Sequence, residues 1–165
     1  MSLIDTPSPE IEPGEPLRLT GGCQCGAVRY RIGAIGPGAN LCHCRMCQKA
    51  SGGPFMAFVP VALADFAITR GAIATFRSSD IADRGFCAAC GTPLTYQALG
   101  KDYLDVTIGS LDEPSAVSPT RQIAADAAVT WLWAALATDN LPLDGWRAEL
   151  QIPDVGSRQH PDHQT

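Results

Sequence analysis

The sequence contains no run of the roughly 18 apolar residues that a membrane-spanning helix needs, so no membrane span is expected. It also lacks a basic surplus: 12 Lys and Arg stand against 17 Asp and Glu, a net charge of −5. Duplex nucleic-acid binding draws much of its affinity from phosphate neutralisation, and this balance argues against such a partner. The first sixteen residues lack both a basic start and an apolar stretch, so no secretory signal is expected there and the cytoplasm is the expected location. Histidine is scarce, with three in 165 residues, and two of these (His160 and His163) lie at the polar C-terminal end. Long helical periodicities are missing too. With 16 Gly and 13 Pro, the chain reads as short strands joined by turns rather than a helical bundle.

One domain is expected from the length. Prolines at positions 7, 9, 13 and 16 mark residues 1–16 as a mobile arm, residues 17–150 as the folded body, and residues 151–165 as a flexible tail. Within the body the apolar period is mostly two. Val28, Tyr30 and Ile32 alternate with Arg29 and Arg31; Leu104, Val106 and Ile108 alternate with Tyr103, Asp105 and Thr107. Both stretches predict half-buried strands. Further strands are expected over residues 55–59, 66–69, 73–76, 94–98 and 129–136, with one short helix over 46–51 stopped by Gly52-Gly53-Pro54. The fold class is therefore mainly β with few short helices.

The seven cysteines carry the chemistry. Cys23-x-Cys25 lies between Gly22 and Gly26, and Cys87-x-x-Cys90 is followed by Gly91. That is the pattern of metal knuckles, in which a tight turn aims two thiolates at one ion. Four thiolates on one Zn²⁺ make a closed, structural site; tetrahedral sulfur suits iron as well, and the alternative is four buried free cysteines. The third group, Cys42-x-Cys44-x-x-Cys47, supplies only three sulfurs. Three protein ligands leave a zinc with an open position for water or substrate. His43 lies between two of these cysteines, where it would have to point with its neighbours to serve as a ligand. Three thiolates also make zinc a poor Lewis acid while suiting it to hold an incoming thiol as thiolate, so thiol chemistry is favoured over hydrolysis. A second structural site completed by an Asp or Glu, or a redox pair among the three, are the alternatives.

The blocks Gly21-Gly22-Cys23-Gln24-Cys25-Gly26, Cys42-His43-Cys44-Arg45-Met46-Cys47 and Arg84-Gly85-Phe86-Cys87-Ala88-Ala89-Cys90-Gly91-Thr92, in this order and spacing, resemble the glutathione-dependent formaldehyde-activating enzyme family, whose domain centromere protein V shares. The resemblance implies a β-tent fold of small antiparallel sheets around zinc sites. It assigns Cys23, Cys25, Cys87 and Cys90 to a structural zinc, and Cys42, Cys44 and Cys47 to a second, catalytic one. It implies a carbon–sulfur lyase similar to S-(hydroxymethyl)glutathione synthase, with glutathione as the small thiol partner and formaldehyde as the electrophile. A zinc-stabilised binding module without catalysis is the other reading. One departure stands out: Gln122 occupies the place of a histidine found in many relatives, and an amide cannot exchange a proton near neutral pH.

Around these blocks, Arg84 is either a cation for thiolate or carboxylate or a solvated strand-end side chain. Arg29, Arg31, Arg45 and Lys49 are further candidates to grip a substrate carboxylate. Thr92 is placed to bond a sulfur, and Asp80 and Asp83 are possible proton acceptors. Phe55, Phe58, Phe66, Phe76 and Tyr103 are expected in the core; Trp131 and Trp133, which share one face if residues 129–136 are a strand, are expected there too, with a pocket lining as the alternative.

Overall fold

The computed structural model describes residues 18–153 and 156–164. The expected N-terminal arm, residues 1–16, lies outside the described residues. Strands β1 (Leu19–Gly22), β2 (Arg29–Ile32) and β5 (Phe66–Arg70) form a three-stranded antiparallel sheet. A second, seven-stranded sheet runs in the order β10 (Arg121–Ile123), β3 (Asn40–Cys42), β4 (Met56–Ala62), β9 (Tyr103–Thr107), β8 (Pro93–Ala98), β7 (Ala82–Phe86), β6 (Ala74–Ser79). Its neighbours are antiparallel except β10 and β3, which pair in parallel. Helix α1 (Arg45–Ser51) follows β3 and ends on Gly52, whose φ of 70° gives the left-handed cap that glycine adopts without a Cβ penalty. The mainly β class is thus the observed one.

Side-chain alternation gives the large sheet two different faces. On β4, Val59 and Val61 are fully buried against the small sheet, where Tyr30 and Ile32 meet them together with Leu94, Leu104 and Val106. Each such aliphatic side chain removed from water contributes about 1.5–3 kcal/mol. Met56 and Phe58, on the opposite face of β4, pack instead with Cys42 and Cys47. One strand therefore serves the core with alternate residues and the second cysteine group with the others.

Two side-chain networks tie the small sheet to the segment after β9. Tyr30 Oη and Ser110 Oγ are hydrogen-bonded at 2.7 Å. Arg29, buried, donates from Nη1 to Asp112 Oδ1 at 2.8 Å and forms a second bond to the other carboxylate oxygen. Burial works against the Asp112 carboxylate, but hydrogen bonds from Arg29 and Thr20 outweigh it and hold the carboxyl below its usual range. A carboxyl depressed by folding lends stability above its ordinary pKa near 4, and that contribution disappears as pH falls below this value. Asp112→Asn leaves a buried guanidinium unpaired, so a loss of roughly 3–5 kcal/mol is expected at neutral pH. Urea titrations should show the gap between wild type and variant narrowing as pH falls from 7 to 3; a gap independent of pH would refute the pairing.

Two expectations change. Residues 129–136 are not a strand: after a turn at Thr130–Trp131 they form the short helix α2 (Leu132–Leu136), followed by α3 (Leu143–Glu149). Leu-Trp-Ala-Ala-Leu is a good helix-forming stretch. In consequence Trp131 and Trp133 are exposed rather than core. Phe76 and Tyr103 are also exposed, Phe76 on the edge strand β6, whereas Phe58 is buried and Phe55 and Phe66 are half-buried. Residues 156–164 lie along the small sheet: His160 N donates to Gln24 O at 2.7 Å and Arg29 Nη2 to His163 O at 3.1 Å. Among the described residues no helix is long and apolar enough to cross a membrane.

Candidate metal centres

The four outer cysteines converge from two hairpin ends. Cys23 and Cys25 follow β1, Cys87 and Cys90 follow β7, and all four sulfurs lie within 4.8 Å of one another. Cys23 Sγ to Cys25 Sγ is 3.5 Å and Cys25 Sγ to Cys87 Sγ is 3.9 Å. A zinc tetrahedron with Zn–S bonds of about 2.3 Å has edges of about 3.8 Å, so the donor set and its spacing fit that ion. Backbone and hydroxyl groups support the sulfurs: Val28 N donates to Cys23 Sγ at 3.2 Å, and Thr92 Oγ1 lies 3.1 Å from Cys90 Sγ. Thr92 thus makes the sulfur contact its position suggested.

The thiols are electrostatically unequal. Burial opposes the Cys90 thiolate, but the Thr92 hydroxyl and the Thr92 and Cys25 N–H groups prevail and bring its pKa down to about 6. Cys25 accepts from the Ala27 N–H, which favours its thiolate, yet the crowding sulfurs of Cys23 and Cys90 push it up to about 11. Sulfurs this close cannot all be anionic without a cation among them, and that is the chemistry of a closed metal site.

The second group forms where β3 runs into α1. Cys42 ends the strand, Cys44 is the N-cap and Cys47 lies in the first helical turn, again with all sulfurs within 4.8 Å. Burial pushes the Cys42 thiol up. It also pushes Cys47 up to about 12, against the bond from Arg84 Nη2 to Cys47 Sγ at 3.3 Å. Cys44 behaves oppositely: burial is outweighed by the Cys47 N–H, the flanking thiols and the Met46 N–H, and its thiol is held down. Cys44 is therefore the sulfur on which negative charge rests most readily.

Arg84 is buried rather than solvated. Beyond Cys47 it reaches Met56 Sδ at 3.6 Å, and its guanidinium carbon lies 5.1 Å from the centre of the Tyr96 ring. Of the cations singled out in the sequence, it alone touches this cluster: Arg29 is committed to Asp112, and Arg45 bonds Gln48 Oε1 at 3.3 Å. The three sulfurs lie in the wall of a cavity of about 250 Å³ whose other walls include Phe58, Tyr96, Arg84 and Asp105. The wall is mostly apolar, with the polar groups few and localised, as ligand sites usually are.

Other candidate residues fall elsewhere. The His43 ring is fully buried between Phe55 and Trp133, with centroids 5.6 and 6.1 Å away, and does not line the cavity. Asp83 accepts from Arg77 at the surface, and Asp80 is exposed in the β6–β7 turn. Gln122 is exposed on β10, between Arg121 and Ile123, and lines neither this cavity nor its neighbour. Sequence reasoning missed Arg121 and Asp105. The alternation around β9 placed Asp105 opposite Leu104 and Val106, and that was the available signal. No local signal placed Arg121, since the pairing of β10 with β3 joins distant parts of the chain.

Comparison with known proteins agrees with this geometry. The family profile of the glutathione-dependent formaldehyde-activating enzyme matches residues 18–127. A Schizosaccharomyces pombe protein named as an uncharacterized lyase is 32% identical over 76 residues, 46% of this chain and 55% of its own. A Halomonas elongata protein, named provisionally as a glutathione-dependent formaldehyde-activating enzyme, is 34% identical over 84 residues, 46% of this chain and 54% of its own. The chain thus spans about half the length of these curated relatives. A Rhodobacter sphaeroides protein of known crystal structure shares the fold, with a TM-score of 0.51 at 22% identity over 62% of this chain and 98% of that one. With the profile spanning both cysteine groups and the mainly β fold that gathers them, the chain belongs to the glutathione-dependent formaldehyde-activating enzyme family.

Proposed function

We propose that the protein is a carbon–sulfur lyase that joins a small thiol, with glutathione as the reference, to formaldehyde, and releases them in the reverse direction. The observation that carries this reading is the placement of Cys42, Cys44 and Cys47 in the wall of a mostly apolar cavity with Arg84 beside them. Zinc held by those three sulfurs would supply the positive charge that keeps a fourth, incoming sulfur deprotonated.

The chain's own residues perform the rest. The N–H groups of Met46 and Cys47 stabilise negative charge on Cys44 Sγ, and Arg84 does so on Cys47 Sγ. Arg84 is itself fixed by Tyr96 and Met56, so its position need not be organised when substrate arrives. Phe58 and Tyr96 narrow the space in which the aldehyde and the sulfur meet and keep water scarce there. In the addition, a sulfur lone pair forms the C–S bond, the C=O π pair moves to oxygen, and the proton given up by the thiol is recovered on that oxygen. The reaction is balanced without oxidant or reductant. Holding both reactants in one small cavity is the main source of rate gain.

The test is formation of S-(hydroxymethyl)glutathione by the zinc-loaded protein, followed by NMR line exchange and corrected for the spontaneous addition. Exchange above the uncatalysed rate supports the reading. A rate equal to the uncatalysed one, with two zinc ions per chain present, would support the non-catalytic module instead.

A further inference from the structure

The cavity above the three cysteines continues into a second cleft of about 470 Å³, and Asn40, Asp105 and Ile123 line both. At the far end stands Arg121. The parallel register sets Arg121 beside Asn40 and Ile123 beside Cys42, so one face of the β3–β10 pair leads from the sulfur to the guanidinium.

Three features mark the cleft as built rather than incidental. The Arg121 guanidinium is seated directly on Gly38, where a Cβ would fall 1.4 Å from Nη2, and Gly38 has a φ of +93° that disfavours any other residue. Arg121 has no ion-pair partner among the described residues. Asn40 is buried, 6% exposed; its Nδ2 donates to Gly38 O at 3.2 Å, which fixes the amide, and its Oδ1 has no partner among the described residues. The Asp105 carboxylate likewise has no hydrogen bond or ion pair to a described residue, and burial pushes its pKa up. A cation, an anion and a free acceptor therefore lie along one groove, all unsatisfied, beside a site that takes sulfur.

We propose that Arg121, Asp105 and Asn40 anchor the amino-acid head of the thiol substrate, Arg121 binding its carboxylate and Asp105 with Asn40 Oδ1 accepting from its ammonium or amide N–H. This rests on the thiol reading of the cysteine cavity and assigns the residues that hold the head groups of that thiol. The planar guanidinium suits a carboxylate through two parallel bonds.

The experiment is calorimetric binding to the zinc-loaded protein of glutathione, of S-methylglutathione (head groups, no free thiol) and of 2-mercaptoethanol (thiol, no head groups). Arg121→Ala is expected to weaken both glutathione probes about tenfold or more, the usual worth of a charge-assisted bond, and to leave 2-mercaptoethanol unchanged. Arg121→Lys should recover part of the loss, and Asp105→Asn should weaken glutathione but not N-acetylglutathione. Unchanged glutathione binding in Arg121→Ala, or equal loss of 2-mercaptoethanol, would overturn the anchor, as would a wild-type protein that binds 2-mercaptoethanol but neither glutathione probe. If binding follows the expected pattern while C–S bond formation with formaldehyde is no faster than in buffer, the anchor stands and the lyase reading alone falls.

Discussion

Replacing Cys87 with serine is expected to unfold the domain. Cys87 is buried at the junction of β7 with the four-sulfur group, and its sulfur lies 3.9 Å from that of Cys25 at the far end of the small sheet. A metal held there crosslinks the end of β1 to the end of β7, and structural zinc of this kind contributes on the order of 10 kcal/mol of apparent binding free energy coupled to folding. Whole-domain stabilities are about 5–15 kcal/mol, so losing most of that term removes the native state. Circular dichroism and thermal melting should show loss of the cooperative transition in Cys87→Ser and, equally, in wild type treated with a strong chelator. A variant that melts cooperatively within a few degrees of wild type would contradict a structural role for this group.

Cys44→Ser is expected to give the opposite pattern, with activity lost and the fold kept. Cys44 is half-exposed at the N-cap of α1, and it touches the smaller of the two buried clusters rather than the main core. Serine retains an N-cap acceptor for the helix but offers zinc a hard, protonated oxygen in place of thiolate. Loss of an outer hydrogen-bonding partner of a metal ligand typically costs 10–100-fold; loss of the ligand itself should lower thiol–formaldehyde exchange by more than about 100-fold. The melting temperature should stay close to wild type. Unfolded Cys44→Ser protein would mean that the two cysteine groups do not divide structure from chemistry.

Much of this grouping was legible in the sequence, for identifiable reasons. The Gly-flanked Cys pairs and the three-cysteine run are local patterns, and the structure gathers them as two separate groups. Strand alternation around Tyr30 and Val106 placed the core because the small sheet covers only one face of the large one. The same rule failed at residues 129–136: alternating tryptophans mimic a strand, but the helix-forming run Leu132–Leu136 makes a short helix after a turn, leaving both rings exposed. Arg84 was ambiguous in the sequence because its role depends on β7 and α1 meeting, and Arg121 was invisible because its role depends on β10 pairing in parallel with β3. Only the fold shows that Gly38 seats the Arg121 guanidinium.

The most direct test of two functionally distinct metal centres is zinc per chain, measured by elemental analysis on wild type and on a variant with Cys42, Cys44 and Cys47 all changed to serine. Two zinc ions should fall to one, with the cooperative melt retained. One zinc ion in both proteins would contradict a metal at the three-cysteine cavity, and with it the chemistry proposed there.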